Sequence, residues 1–216
     1  MSIIDTTYFN GPINVPQLGK SSVDNGLQLF INRYEPRILQ AALGYQLYLD
    51  FMAGLKATPI DQKWLDLRDG VVFTATGMWP PFYWQYPFLS VYRNWFIPQN
   101  PVRKMEWIGW TGRAGGSESD DPIYTSPIAG YVYYEYTRDQ VTQNTGLGIV
   151  TTPAENAADA SPGFKMQDAF NQMSKDVFSL WQLFEADAVA TVPKYTSYER
   201  LKINYAFFQT INRFNI

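Results

Sequence analysis

The apolar residues Met166, Phe170, Met173, Val177, Leu180 and Phe184 follow one another at spacings of 4, 3, 4, 3 and 4. Only an α-helix returns side chains at those intervals to one side, so this seam predicts a long helix with a single buried stripe. Trp181 widens the stripe. Ser161-Pro162 stands in front of it, with serine favoured at an N-cap and proline at the first helical position. At ~1.5 Å per residue the rod is roughly 35–40 Å long. A stripe of that length needs partner helices over most of its extent, which points to a mainly α protein.

Helical spacing recurs near the start. Leu27, Phe30, Ile31, Tyr34, Ile38, Leu39, Ala42 and Leu43 follow Ser21-x-x-Asp24, which has the form of a capping box. Pro36 lies inside the run and is expected to kink or split it, because proline lacks an amide donor and collides with the preceding turn. Gly44 is a second soft point. Leu47, Phe51 and Leu55 carry the pattern onward, and DQKWLDLRDG reads as a short helix stopped by Gly70. Ahead of these helices, residues 1–20 read as an extended arm anchored by Ile3, Ile4, Phe9 and Val15. Ser126-Pro127 starts a further segment, IAGYVYYEYTRDQ. It reads as a helix with one face of Ile128, Val132 and Glu135 and another of Tyr131, Tyr134 and Arg138. Its aromatic and β-branched composition keeps a strand open as the alternative. Near the end, Ser197 is expected to cap a last short helix through Leu201 and Tyr205, and the apolar FFQTINRFNI terminus is expected to lie against the protein.

Residues 71–112 differ from everything around them. Five of the seven tryptophans lie here, with Pro80, Pro81, Pro87, Pro98 and Pro101. Prolines at this density forbid a long helix or a regular central strand, so short strands or a hairpin held by ring packing are expected. GRAGGSESDDP (112–122) reads as a polar linker, and residues 143–160 as an extended or irregular arm. The domain reading is therefore an N-terminal arm (1–20), a helical domain formed by 21–70 with 124–216, and an insertion with its linker at 71–123.

Composition narrows the function. There is no histidine and no cysteine. Imidazole- and thiol-based catalysis, thiolate metal sites and disulfides are thereby removed, and the redox compartment is unreadable. The acidic cluster Glu118, Asp120 and Asp121 lacks the pattern of a calcium loop and reads as solvated. Gly146-Leu147-Gly148 lacks the third glycine of a dinucleotide fingerprint and reads as a turn. The pairs Asp66/Asp69 and Glu185/Asp187 could in principle serve a glycosidase, but ordinary surface charge explains them. No catalytic, cofactor or metal residue is therefore assigned, and an enzyme is not expected. Net charge is −3, which argues against a general nucleic-acid binder. MSIIDTTYFNG has no basic region leading into an apolar run, so no signal peptide is expected, and no apolar run has membrane-spanning length. Charged residues are 17% of the chain and aromatics 17%. So little charge with so many rings implies exposed apolar patches, the mark of an assembly component.

Several stretches together resemble the head–tail adaptor proteins of tailed bacteriophages, particularly those of phages infecting Bacteroidetes. In INRYEPRILQAALGYQLYLDFMAGL, with Phe30 just before it, the residues that carry the resemblance are Phe30, Ile31, Tyr34, Glu35, Leu39, Leu43, Gly44 and Leu47. KWLDLRDG looks like the family's second helix and its glycine stop. YVYYEYTRDQVTQNTGLGIVTTPAENA is similar to an aromatic helix running into a small-residue arm. SPGFKMQDAFNQM and the INRFNI ending follow in the family's order. The resemblance covers about two thirds of the chain and departs from the family over residues 76–112.

It implies a virion structural protein at the head–tail interface, assembled in the host cytoplasm. Copies on the order of twelve form a ring under the portal. The ring docks tail or neck proteins, and DNA passes through its channel as cargo. The expected neighbour contacts are Thr145, Leu147, Ile149 and Val150 in the mid-chain arm. Phe214 and Ile216 are the expected contacts for docking on the portal or the next subunit. The alternative is a binding module in which Trp79, Trp84, Trp95 and Trp107 form an aromatic platform for a glycan or receptor.

Overall fold

The computed structural model describes residues 2–76, 102–112, 126–141, 143–145, 148–150, 162–199 and 202–209. The fold is mainly α. Helices α1 (Ser21–Leu43), α2 (Tyr45–Gly54) and α3 (Gln62–Asp69) precede a two-stranded antiparallel sheet, β1 (Val71–Thr76) with β2 (Val102–Trp107). Then come α4 (Pro127–Val141), a short hairpin of β3 (Gln143–Thr145) with β4 (Gly148–Val150), and α5 (Pro162–Ala188). The core is built on α4, which packs against α1 on one side and α5 on the other, while α5 also covers β1 and β2.

The seam of α5 is buried as its spacing requires: Phe170, Met173, Val177, Leu180 and Phe184 are all enclosed, with Trp181 beside them. Helix α4 settles the question its composition leaves open. Ser126 is its N-cap: the hydroxyl oxygen accepts the Ala129 amide at 3.2 Å and donates to the Trp110 carbonyl at 2.7 Å. The two expected faces do not separate into core and solvent, because Ile128, Tyr131, Val132, Tyr133 and Glu135 are all buried. The segment is the helix its start signal predicts; enclosed on several sides, it lacks a polar stripe, which is why its composition leaves a strand open as the alternative.

Three local readings need correction. Helix α1 runs unbroken through Pro36; the packing of Tyr34, Ile38 and Leu39 into the core outweighs one missing hydrogen bond. The break falls at Gly44, with φ 75° and ψ 160°, a backbone region almost closed to other residues. Ser21 is not the cap of α1, since Lys20 holds that position without a side-chain bond. Asp24 instead accepts the Gly19 amide at 2.9 Å, which is one half of a capping box displaced toward the N-terminus. At the other end, no α-helix follows Ser197 among the described residues. That hydroxyl donates to Asp50, and a 3-10 turn forms at Tyr205–Phe208.

Helix ends leave carbonyls without partners, and here other elements supply the donors. At the end of α1, the Trp181 indole donates to Ala42 O at 2.9 Å and the Asn204 amide to Ala41 O at 3.2 Å. At the end of α3, the Trp107 indole and Trp110 amide donate to Leu67 O at 3.0 and 3.2 Å, and the Thr111 amide to Arg68 O at 2.9 Å.

Residues 2–20 lie as a strap along the bundle, with Ile4, Phe9 and Val15 buried as expected and Ile3 packed against the core. The buried Glu35 carboxylate of α1 holds the strap. It accepts the Ser2 hydroxyl at 2.7 Å, the Ile3 amide at 3.0 and 3.1 Å, and the Ile4 amide at 3.4 Å. Phe207 and Phe208 of the C-terminal stretch are packed inward as expected, ringed by Tyr131 and Trp181.

Candidate functional site

The tryptophan-rich insertion begins and ends on a firm base. Thr76 pairs with Val102 and Val71 with Trp107, so the chain leaves the sheet and returns to it at adjacent points. The inner face of the sheet buries Ala75 and Trp107, while Val72 and Thr74 face out. Trp107 sits edge-to-face with Trp110 at 5.2 Å, and both rings are fully enclosed. Trp107 is therefore a core residue and offers no ring to a partner. Its alternation within β2, inward with Met105, is the reason. Trp79, Trp84 and Trp95 lie outside the described residues, so of the four platform rings the structure places only this buried one.

Of the arm residues, Thr145 pairs with Gly148, and Ile149 and Val150 continue β4 opposite Asn144 and Gln143. The arm thus starts as an antiparallel hairpin directly after α4, where an extended segment is expected. Among the described residues no third strand pairs with this hairpin, and an outer edge of that kind can template a further strand. Leu147 lies outside the described residues, as do Phe214, Ile216 and the acidic cluster Glu118, Asp120 and Asp121.

The carboxylates considered for acid–base work are occupied structurally. Asp69 takes a two-point contact from Arg68, with both bonds 2.7 Å, and Asp66 accepts from Gln62 at 2.9 Å. Asp187 accepts the Lys194 and Tyr195 amides at 2.8 and 2.9 Å, closing the turn after α5, while Glu185 accepts from the Tyr198 hydroxyl at 3.3 Å. Glu135 holds Tyr131 and Arg138. Among the described residues no three acidic side chains converge in a way that could hold a metal ion, and no helix is long and apolar enough to cross a membrane.

One carboxylate is less well provided for. Asp176 is buried on α5, and Gln172 donates to its Oδ1 at 2.9 Å while Oδ2 has no partner. Burial pushes its carboxyl up to about 7, against lesser opposing effects of Gln172 and Lys175. Glu35 is also raised by burial, with the Ser2, Ile3 and Ile4 donors acting the other way. Both groups are buried in the packed bundle. Sequence reasoning singled out neither as titratable, because nothing local marks a carboxylate that tertiary packing will enclose.

What the surface does offer is apolar. Leu29, Tyr45, Val72, Phe164, Val189 and Val192 are exposed, the last two at about 80% and 79%. They are spread over α1, α2, β1, the start of α5 and the turn that follows α5. Comparison with family models, with curated proteins and with solved structures found no match to the chain.

Proposed function

We propose that this chain is a virion structural protein, a head–tail adaptor subunit that assembles as a ring beneath a phage portal, extends the DNA channel and docks tail or neck proteins. The observation that carries the reading is the work done by the residues of the resemblance. Glu35 fastens the strap, Gly44 separates α1 from α2, Gly70 ends α3, and the aromatic helix α4 feeds straight into the β3–β4 hairpin. All of these are architectural tasks. The exposed apolar side chains and the hairpin's open edges supply surfaces of the kind that a closed ring needs, two different faces on each subunit. A net charge of −3 suits a channel wall past which DNA slides without being gripped.

The test is location. Cryo-electron microscopy of intact particles should find this chain between portal and tail, and its absence from that vertex would end the reading. Deletion of residues 143–160 should give a folded chain that no longer enters particles; normal incorporation would remove the arm from the neighbour contact. For the aromatic-platform reading, Trp79, Trp84 and Trp95 remain as candidates. A flat tryptophan-fluorescence titration against host polysaccharide would dispose of it.

A further inference from the structure

The strap is held by features that are indifferent to which copy supplies it. Its polar grip is the Glu35 carboxylate on main-chain amides of Ile3 and Ile4 and on the Ser2 hydroxyl. Its apolar grip is the seating of Ile4, Phe9 and Val15, which are all buried. Along its path the strap crosses α1, α4 and α5, so it forms a removable layer on a bundle that is otherwise continuous.

What folds the strap back on its own bundle is a short reversal just before α1. The Leu18 amide bonds Val15 O at 3.3 Å and the Lys20 amide bonds Gln17 O at 3.2 Å. Two residues of this reversal lie in the left-handed region, Gly19 at φ 94° and Gln17 at φ 64°. Gly19 adopts it freely. Gln17 does not, and it is the only non-glycine among the described residues with a positive φ. The closed form thus carries backbone strain at the one hinge that decides where the strap goes. Extending residues 16–20 relieves that strain and carries the strap away from its own bundle, with a hinge reach of up to roughly 17 Å.

We propose that the strap, residues 2–15, is exchanged between copies of this chain: each bundle receives a neighbour's strap in its Glu35-lined groove and gives its own away. Such exchange makes a head-to-tail contact with two different faces, which closes into a dimer or a ring according to the angle at the hinge. It adds no new interface chemistry, because every contact of the closed monomer is remade, and only the hinge changes. The exchange does not depend on the adaptor reading; its failure would leave that reading to its own test in particles.

The test uses full-length chain with Ile3→p-benzoylphenylalanine, refolded as an equal mixture of 14N- and 15N-labelled protein at high concentration and then irradiated. Cross-linked peptides joining position 3 to the α1 segment around Glu35 should include mixed-isotope pairs, which can form only between copies. Gln17→Gly, which accepts the closed hinge without strain, should lower the mixed-isotope share roughly fivefold. Gln17→Pro cannot take a positive φ and should raise it. Links confined to same-isotope pairs would overturn the proposal, and so would mixed links that ignore position 17. If the bulky residue prevents seating and no link forms, light scattering of Gln17→Pro without the photoprobe decides. A dimer or larger species with protected Ile3 and Ile4 amides supports exchange, and a monomer refutes it.

Discussion

At the scale of single residues, the polar groups of the core are few and each has a structural consequence. Asp176 is the clearest. A carboxyl whose folded value is about 7 against an ordinary 3.8 keeps its proton in the folded chain after the unfolded chain has lost it. Its contribution is therefore full below about pH 4 and is lost as pH rises toward 7, on the order of 1 kcal/mol per pH unit at most. Asp176→Asn should flatten the fall in stability between pH 4 and 7 and equal or exceed the native chain at pH 8, as read by urea melts across pH. A native-like slope in the variant would contradict this. Gly109 makes a steric case. Its φ is 82°, and a Cβ there would stand 2.4 Å from the Asp69 carbonyl carbon and 2.5 Å from Arg68 O. Gly109→Ala should cost about 2–4 kcal/mol, since backbone must move to admit it. Calorimetry should show this as a lower melting temperature, whereas a change under 0.5 kcal/mol, on the order of an ordinary surface substitution, would refute the packing at that crossing.

At the scale of elements, helix ends explain how the parts are joined. The donors that satisfy α1 and α3 come from residues far along the chain, so each helix terminus is also a tertiary joint. Ser126 is the most informative of these joints because one hydroxyl serves two elements, capping α4 and bonding the segment after β2. Ser126→Ala leaves a buried amide and a buried carbonyl unpaired. The expected loss is about 2–3 kcal/mol, or roughly 4–12 °C in melting temperature for a chain of this size, with Ser126→Thr restoring part of it. A neutral Ser126→Ala would mean that α4 starts without this bond in solution.

At the scale of the whole molecule, the packed core is distributed over the strap, helices α1 to α5 and the β1–β2 sheet, while the β3–β4 hairpin lies between α4 and α5 in the chain. Removing residues 143–160 should therefore leave the far-ultraviolet helical signal and a single cooperative melt, with the loss confined to assembly. A chain that fails to fold without this segment would place the hairpin inside the core instead. The sequence by itself determined the long helix α5, the strap anchors, the glycine stops and the start of α4, because period, caps and turn chemistry act within a few residues. It also gave the exclusion of imidazole and thiol chemistry. Only the tertiary structure decided that α1 continues through Pro36, that the helix α4 is enclosed on several sides, and that Trp107 is core. It likewise decided that Glu35 and Asp176 are enclosed and that the Ser197 hydroxyl bonds Asp50. Each of those outcomes turns on burial against residues distant in the chain, and the free energy of that burial exceeds the local preferences that sequence spacing reports.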